Sequence, residues 1–191
     1  NVGSILLYME SLNDGSRFIA AAREFCQTKP IVCLKAGTNP AGAVAAASHT
    51  GAIAGNDKVF SAVFERAGVI RAATISEFYN YARTLNHCKK PQGRRLAIVT
   101  NAGGSGVIST DFLAQNGGEL SKLAPKTIKT LAGALPPAAS RANPIDVLGD
   151  GAPEHYRAAV SACLEDKNVD GIMAIISPQA VTQSKKIAEE I

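Results

Sequence analysis

A histidine on a stretch rich in Gly and Ala is the first candidate for chemistry. The stretch follows a predicted strand that ends near Lys35, and in it His49 is flanked by Ser48, Thr50 and Gly51. Imidazole is neutral near pH 7 and nucleophilic, so a histidine on a predicted loop is suited to accept a phosphoryl group and pass it on. A hydrogen-bonded loop histidine without a catalytic role is the alternative that the residue types leave open.

A second Gly-rich stretch lies between a predicted strand and a predicted helix. It contains Gly103, Gly104, Ser105 and Gly106. Unpaired backbone N–H groups and the positive end of a helix dipole bind an anion at such a place, most naturally phosphate. The dinucleotide fingerprint is excluded because Ser109 stands where its third Gly should be, and no Lys-Ser or Lys-Thr follows to make a Walker A loop. A tight connection that binds nothing is the alternative.

Residues 1–90 have the pattern of a small parallel sheet with helices on both faces. Continuous apolar runs are typical of strands that are covered on both sides, and apolar residues at helical spacing lie between them. The predicted strands are Ser4–Met9, Ile31–Leu34 and Val69–Ile70, and the predicted helices are Arg17–Cys26, Asp57–Ala67 with Gly68 as its stop, and one capped by Ser76 that runs to about Cys88. This order predicts an α/β domain.

The polar segment Lys89–Arg95 is predicted to be a linker, after which the pattern restarts. The predicted domains are therefore residues 1–90 and 91–191, both doubly wound with a mostly parallel sheet. In the second domain we predict strands at Leu96–Thr100 and Ile172–Ile176, helices at Val107–Gln115, Lys126–Leu131 and Pro153–Glu165, and a last helix from about Thr182.

Composition excludes several classes of function. The chain has 191 residues, 46% of them hydrophobic and 19% charged, as expected of a soluble globular protein. Its net charge of +4 is scattered and its aromatic content is 5%, which argues against a nucleic-acid partner. No apolar run approaches the roughly 18 residues of a membrane span. The four cysteines form no CxxC pair, so we expect reduced thiols and a cytoplasmic protein without a metal site.

Two segments carry a resemblance to a known family. The run from Leu34-Lys35-Ala36-Gly37 to Ser48-His49-Thr50-Gly51-Ala52-Ile53-Ala54-Gly55 resembles the phosphohistidine segment of NDP-forming acyl-CoA synthetases, the family of ADP-forming acetate–CoA ligases and succinyl-CoA synthetases. Residues 97–106 and the run Asn143-Pro144-Ile145-Asp146-Val147-Leu148-Gly149 resemble the other CoA-ligase domain of that family. The resemblance implies two flavodoxin-like domains of three-layer α/β/α type.

The resemblance also implies a reaction and roles for residues. Acid, CoA and ATP would become acyl-CoA, ADP and phosphate through an acyl phosphate and a phosphohistidine, with His49 as the carrier. Glu10 matches the family's acidic residue that holds the imidazole, and a solvated carboxylate at a strand end is the alternative. The helix start at 103–106 resembles one of two helices whose N-termini cradle the phosphoryl group. Asn143 and Asp146 either support that site or shape a turn around Pro144.

The family needs more than this chain contains. The resemblance implies a CoA-binding domain and an ATP-grasp unit, in the same polypeptide or on a partner subunit, in an oligomeric enzyme that uses ATP, Mg²⁺ and CoA. We expect the chain itself to bind no cofactor beyond phosphate or acyl phosphate. Since it opens at Asn1 without Met and stops inside a predicted helix, we interpret it as a fragment whose second domain is truncated. The acid could be acetate, a longer aliphatic acid or an aromatic one.

Two other functions compete with this hypothesis. One is a non-catalytic, synthetase-like regulatory module of a protein acetyltransferase, against which the presence of His49 argues. The other is a domain that binds flavin phosphate at 103–106, against which the lack of Trp and the scarcity of other aromatics argue.

Overall fold

The computed structural model of the protein describes residues 3–50, 55–89 and 91–191, with the side chains of residues 49 and 50 outside the description. The chain forms two compact units, Asn1–Lys90 and Pro91–Ile191. Each is an α/β unit with a parallel sheet. In the part of the chain described, no helix is long and apolar enough to cross a membrane.

The described residues of the first unit form three parallel strands in the order β1-β2-β3. Its elements are β1 (Ile5–Met9), α1 (Gly15–Cys26), β2 (Ile31–Lys35), α2 (Pro40–Thr50), α3 (Asp57–Ala67), β3 (Ile70–Ala72) and α4 (Ile75–His87). β2 is the central strand, and its residues Ile31, Val32 and Cys33 are buried. Ile31 and Cys33 belong to the cluster that contains residues of α1 and α3, while Val32 packs with Phe78 of α4 on the opposite face. The expected three layers are present.

The structure corrects one prediction in the first unit that concerns the candidate site. We predicted a loop after Lys35, whereas residues Pro40–Thr50 form α2. The reason is local: Pro is well placed at the first helical position, Ala has the highest helix propensity, and the Asn39 side chain accepts a hydrogen bond from Gly42 N at 2.9 Å. The predicted Ser76 cap is also wrong, because Thr74 precedes α4 and accepts a hydrogen bond from Glu77 N.

The second unit also has a parallel sheet, with β4 paired to each of its other three strands. Its elements are β4 (Arg95–Thr100), α5 (Gly103–Gln115), β5 (Glu119–Leu120), α6 (Pro125–Ala134), β6 (Ile145–Asp146), α7 (Pro153–Leu164), β7 (Gly171–Ile175) and α8 (Ser184–Glu190). We predicted β4 and β7 but missed β5 and β6, which are two residues long. The predicted start of α5 at Val107 is also wrong, since the glycines before it form the first turn.

The Asn143 side chain closes the gap between the two short strands. The Arg94 carbonyl accepts a hydrogen bond from the β5 side, and the Thr100 carbonyl accepts one from the β6 side. These two residues are separated by an even number of positions. Alternate residues of a strand bond to opposite neighbours, so β5 and β6 share one edge of β4. Between them, Asn143 Oδ1 accepts from Ile98 N at 2.9 Å, and Nδ2 donates to Leu96 O at 2.8 Å and Ser121 O at 3.1 Å. One amide side chain replaces a strand residue.

Replacing Asn143 with Ala is expected to destabilise the second unit. The substitution leaves the amide of the fully buried Ile98 without a partner and removes one hydrogen bond each from the carbonyls of Leu96 and Ser121, at a total cost of about 2–4 kcal/mol. Leu96 O keeps its bond from Ser121 N. Urea denaturation followed by circular dichroism measures the loss. Asn116→Ala is the matched control, because Asn116 is exposed and makes one side-chain hydrogen bond, to Phe112 O. An Asn143→Ala variant as stable as the control would contradict the bridging role.

Candidate functional site

Glu10 lies at the carboxyl end of β1, directly after Met9. Its Oε2 atom is buried and accepts no hydrogen bond from a described residue, one of two such buried side-chain atoms in the described part of the chain, the other being Arg141 Nε. This oxygen is therefore not solvated. A buried carboxylate oxygen without a hydrogen-bond donor lowers the stability of the folded chain. Glu10 Oε2 is therefore available to accept a hydrogen bond from a further group.

The backbone of His49 belongs to the last turn of α2, and not to a loop as we predicted. Its side chain, that of Thr50 and the whole of Gly51 lie outside the described residues. Ser48 is exposed and its Oγ donates to Val44 O at 2.9 Å, within the same helix. None of the described side chains of α2 is buried, although Ala46 Cβ lies 3.5 Å from where a Cβ on Gly37 would stand. α2 thus lies on the surface of its unit.

Lys35 is a candidate to which the sequence analysis gave no role. It is the last residue of β2, one strand away from Glu10, and only 4% of it is exposed. Its Nζ donates to Ala36 O and lies 4.6 Å from the centroid of the Phe60 ring. Burial lowers the pKa of this lysine, with Asp57 acting in the opposite direction. The signal in the sequence is a lysine that ends an otherwise apolar strand.

In the second unit, the predicted anion site is the first turn of α5. Gly103 and Gly104 are exposed, Ser105 is half-buried and Gly106 is buried against Thr100 and Pro144. Ala102 precedes the helix and has no side-chain oxygen to cap it. The first amide N–H groups of a helix have no acceptor within it, so these donors face the end of the sheet without a side-chain cap. The arrangement can bind an anion.

Asp146 and Asn143 have different positions relative to that turn. Asp146 Oδ1 accepts from Leu148 N at 2.9 Å, and Oδ2 lies 3.0 Å from where a Cβ on Gly103 would stand. The carboxylate therefore lies beside the start of α5, and its hydrogen bond helps hold Leu148 at a left-handed φ of 72°. Asn143 is away from it, between the strands, and both of its N–H bonds are used there.

Asn101 is a further residue of this region that received no role from its sequence. It follows β4, is 3% exposed, and exchanges two hydrogen bonds with the backbone of Ser177, at 2.8 and 2.9 Å. Its Nδ2 also lies 3.3 Å from Thr182 Oγ1. Asn101 thus fixes the segment after β7 to the end of β4. Only its position immediately after a buried strand could have indicated it.

Comparison with known proteins identifies both units. Residues 1–85 match the succinyl-CoA ligase like flavodoxin domain, and residues 96–189 match the ligase-CoA domain. The alpha subunit of acetate–CoA ligase (ADP-forming) I of Pyrococcus furiosus is 40% identical over 99% of this chain and 41% of its own length. The chain belongs to the NDP-forming acyl-CoA synthetase family.

Two other proteins are similar to this chain over nearly all of its length. The 4-hydroxybutyrate–CoA ligase (ADP-forming) of Nitrosopumilus maritimus is 31% identical over 98% of this chain and 27% of its own length. A solved structure is also similar, that of the dinucleotide forming acetyl-coenzyme A synthetase 1 of Candidatus Korarchaeum cryptofilum in complex with phosphate and ADP. Its sequence is 37% identical to this chain, and the two structures superpose with a TM-score of 0.91. The match covers 99% of this chain and 41% of the other. The predicted α/β, flavodoxin-like fold is confirmed. The chain spans about two fifths or less of these relatives.

Two glycines in α5 are expected to respond oppositely to substitution by alanine. Among the described residues, no atom outside the adjacent residues and the backbone of α5 lies within 4 Å of a Cβ on Gly104, so Gly104→Ala should raise stability by up to about 1 kcal/mol through helix propensity. A Cβ on Gly106 would lie 3.2 Å from Thr100 Cγ2 and 3.3 Å from Pro144 Cβ, so Gly106→Ala should lower stability. Urea denaturation measures both.

The same pair of variants tests anion binding at this turn. If backbone amides near Gly104 contact phosphate, the added methyl group weakens phosphate affinity in a variant that is at least as stable as the wild type. Titration calorimetry with inorganic phosphate gives that affinity. Equal affinities for wild type and Gly104→Ala would remove this turn from the list of phosphate sites.

Proposed function

We propose that this chain is the two-domain CoA-ligase part of an ADP-forming acid–CoA ligase and that His49 carries the phosphoryl group. The observation that carries the proposal is the buried Glu10 oxygen, which has an open acceptor position at the end of β1. An imidazole N–H of His49 would be a suitable donor to this oxygen. The phosphohistidine chemistry is proposed from the resemblance to the family. The relative from Pyrococcus furiosus, named acetate–CoA ligase (ADP-forming), supports the reaction class.

The proposed reaction consists of three transfers. Phosphate oxygen attacks the thioester carbon of acyl-CoA, the C–S bond breaks, and acyl phosphate and CoA result. The unprotonated nitrogen of His49 then attacks phosphorus, an N–P bond forms, and the P–O bond to the acyl group breaks to release the acid. Finally a terminal oxygen of ADP attacks phosphorus, the N–P bond breaks, and ATP and free imidazole form. Each transfer is reversible.

Glu10 is proposed to orient the imidazole. A carboxylate that accepts the N–H of one ring nitrogen fixes the tautomer and leaves the other nitrogen free to attack. It also stabilises the positive charge that the ring gains when the N–P bond forms. The buried position of Oε2 supports this role, since a hydrogen bond is stronger where water is excluded.

The start of α5 is proposed to bind the anionic group of the reaction, phosphate or phosphoryl. Uncapped amides and the helix dipole offset negative charge there. Asp146 beside Gly103 limits how much negative charge the turn can hold, and we assign it the support of the Leu148 turn.

ATP, Mg²⁺ and CoA are proposed to bind to other parts of the enzyme. The relative named an alpha subunit, which this chain spans to 41%, supports an ATP-grasp unit and a CoA-binding domain in the same polypeptide or on a partner subunit. We propose a cytoplasmic, oligomeric enzyme.

Replacing His49 with Asn is expected to abolish phosphorylation of the chain. The experiment supplies γ-labelled ATP and Mg²⁺ to the full-length protein, or to this chain together with its ATP-grasp part. Wild type should acquire a label that acid removes and alkali does not, and His49→Asn should acquire none. His87→Asn is the matched control, because His87 is exposed at the end of α4. Label retained in His49→Asn would assign the carrier elsewhere, and an unlabelled wild type would favour a regulatory module.

Replacing Glu10 with Gln is expected to slow labelling by roughly a hundredfold without preventing it. The amide can still accept a hydrogen bond but no longer offsets the charge that develops on the imidazole. Rapid-quench measurement of the labelling rate checks this, with Glu24→Gln on the exposed face of α1 as control. Equal labelling rates in Glu10→Gln and Glu24→Gln would show that Glu10 takes no part in phosphoryl transfer.

A further inference from the structure

Lys35 holds a buried positive charge that the fold does not neutralise by direct contact. Its ammonium group is a donor of three hydrogen bonds, of which the described structure shows one, to Ala36 O. The Phe60 ring, itself 7% exposed, covers the group with Nζ at 4.6 Å from its centroid. Among the described residues no carboxylate oxygen lies within 4 Å of Nζ. The charge is therefore fixed in position but only partly compensated.

The titratable groups around Lys35 come from each strand of the sheet and from α3. They are Glu10 after β1, the Cys33 thiol in β2, Asp57 in α3 and Arg71 in β3. Asp57 is bound by Arg71, whose Nη2 lies 2.5 Å from Oδ1. Glu10 has no such partner, and its buried Oε2 is free of described donors. Glu10 is thus the carboxylate of this group without a direct ion pair.

An uncompensated buried lysine lowers the stability of a fold. Burial lowers the pKa of Lys35, so the charged side chain costs folding free energy at every pH below its folded pKa. The cost disappears as the pH rises from the pKa of Lys35 in the folded chain to its pKa in the unfolded chain, because the side chain loses its charge over that range. A methionine of similar length would fill the same space without the cost. Because this side chain destabilises the fold, its presence suggests a function that requires its positive charge.

We propose that Lys35 is a positioning residue for phosphoryl transfer, whose fixed ammonium offsets the negative charge that Glu10 and the phosphohistidine place together at the carboxyl end of the first sheet. This inference rests on the proposed function. When His49 takes the γ-phosphoryl group, the N–P bond forms, the P–O bond to ADP breaks, and a phosphoryl anion arrives on the ring that Glu10 orients. Like charges then meet, and Lys35 lowers the free energy of that state. The Phe60 ring holds the ammonium in place.

Lys35→Met separates this role from a structural one. In the full-length protein the variant should be as stable as wild type or more so, with an equal or higher Tm, while the rate of phosphohistidine formation falls on the order of tenfold and KM for ATP stays unchanged. The expected loss is smaller than the hundredfold or more that follows removal of a group touching the transition state. Lys58→Met, on the exposed part of α3, is the matched control. A wild-type rate in Lys35→Met, or a lower Tm with proportionate loss of all activity, would overturn the proposal.

A second measurement does not depend on turnover. The pKa of Lys35, followed by NMR of the ¹³Cε-labelled side chain, should lie below the ordinary lysine value. Glu10→Gln should lower it further, because the Glu10 carboxylate raises it in the wild type. An unchanged pKa in Glu10→Gln overturns the coupling whatever the labelling shows. If the coupling is present but the wild type forms no phosphohistidine, the proposed function fails and with it the catalytic part of this inference.

Discussion

Both units depend on a parallel strand that is covered on its two faces, β2 in the first unit and β4 in the second. Val32, Cys33 and Ile98 are inaccessible to solvent. A strand buried in this way has no face for polar side chains, so the polar groups gather where the strand ends. Lys35 ends β2 and Asn101 follows β4. The constraint that builds each core therefore also decides where its polar side chains lie.

The strands at the centres of the two sheets could be predicted because they leave the strongest signal in the sequence. Ile31–Leu34 and Leu96–Thr100 are continuous apolar runs with clear ends, and each is a strand in the structure. The helix Asp57–Ala67 was equally clear, since its apolar residues lie on one stripe and Gly68 ends it with a φ of 75°. Fold class followed from the order of these elements.

Other features could not be predicted from the sequence for identifiable reasons. α2 has no apolar stripe, and its Ala-rich segment, predicted to be a loop, forms a helix through the propensity of Ala and the Asn39 hydrogen bond at its start. β5 and β6 are too short to show a period. The bridge made by Asn143 joins residues 45 and 47 positions apart, a pairing that no local pattern contains. Of the candidate site, the positions of Glu10 and the α5 turn followed from strand ends, but the burial of Glu10 Oε2 depends on tertiary packing.

Four polar side chains among the described residues differ in how far their hydrogen bonds are completed. Asn143 uses both N–H bonds and its oxygen within the sheet, and Asn101 similarly joins two segments of backbone. The N–H groups of both side chains are used within the fold, and the effect of these residues is on the fold. Glu10 Oε2 and the Lys35 ammonium group are buried with hydrogen-bonding positions still open among the described residues, which lowers stability. The fold keeps these two groups although they lower its stability. The proposed function explains this, because the partner that completes their interactions would be the phosphorylated imidazole of His49.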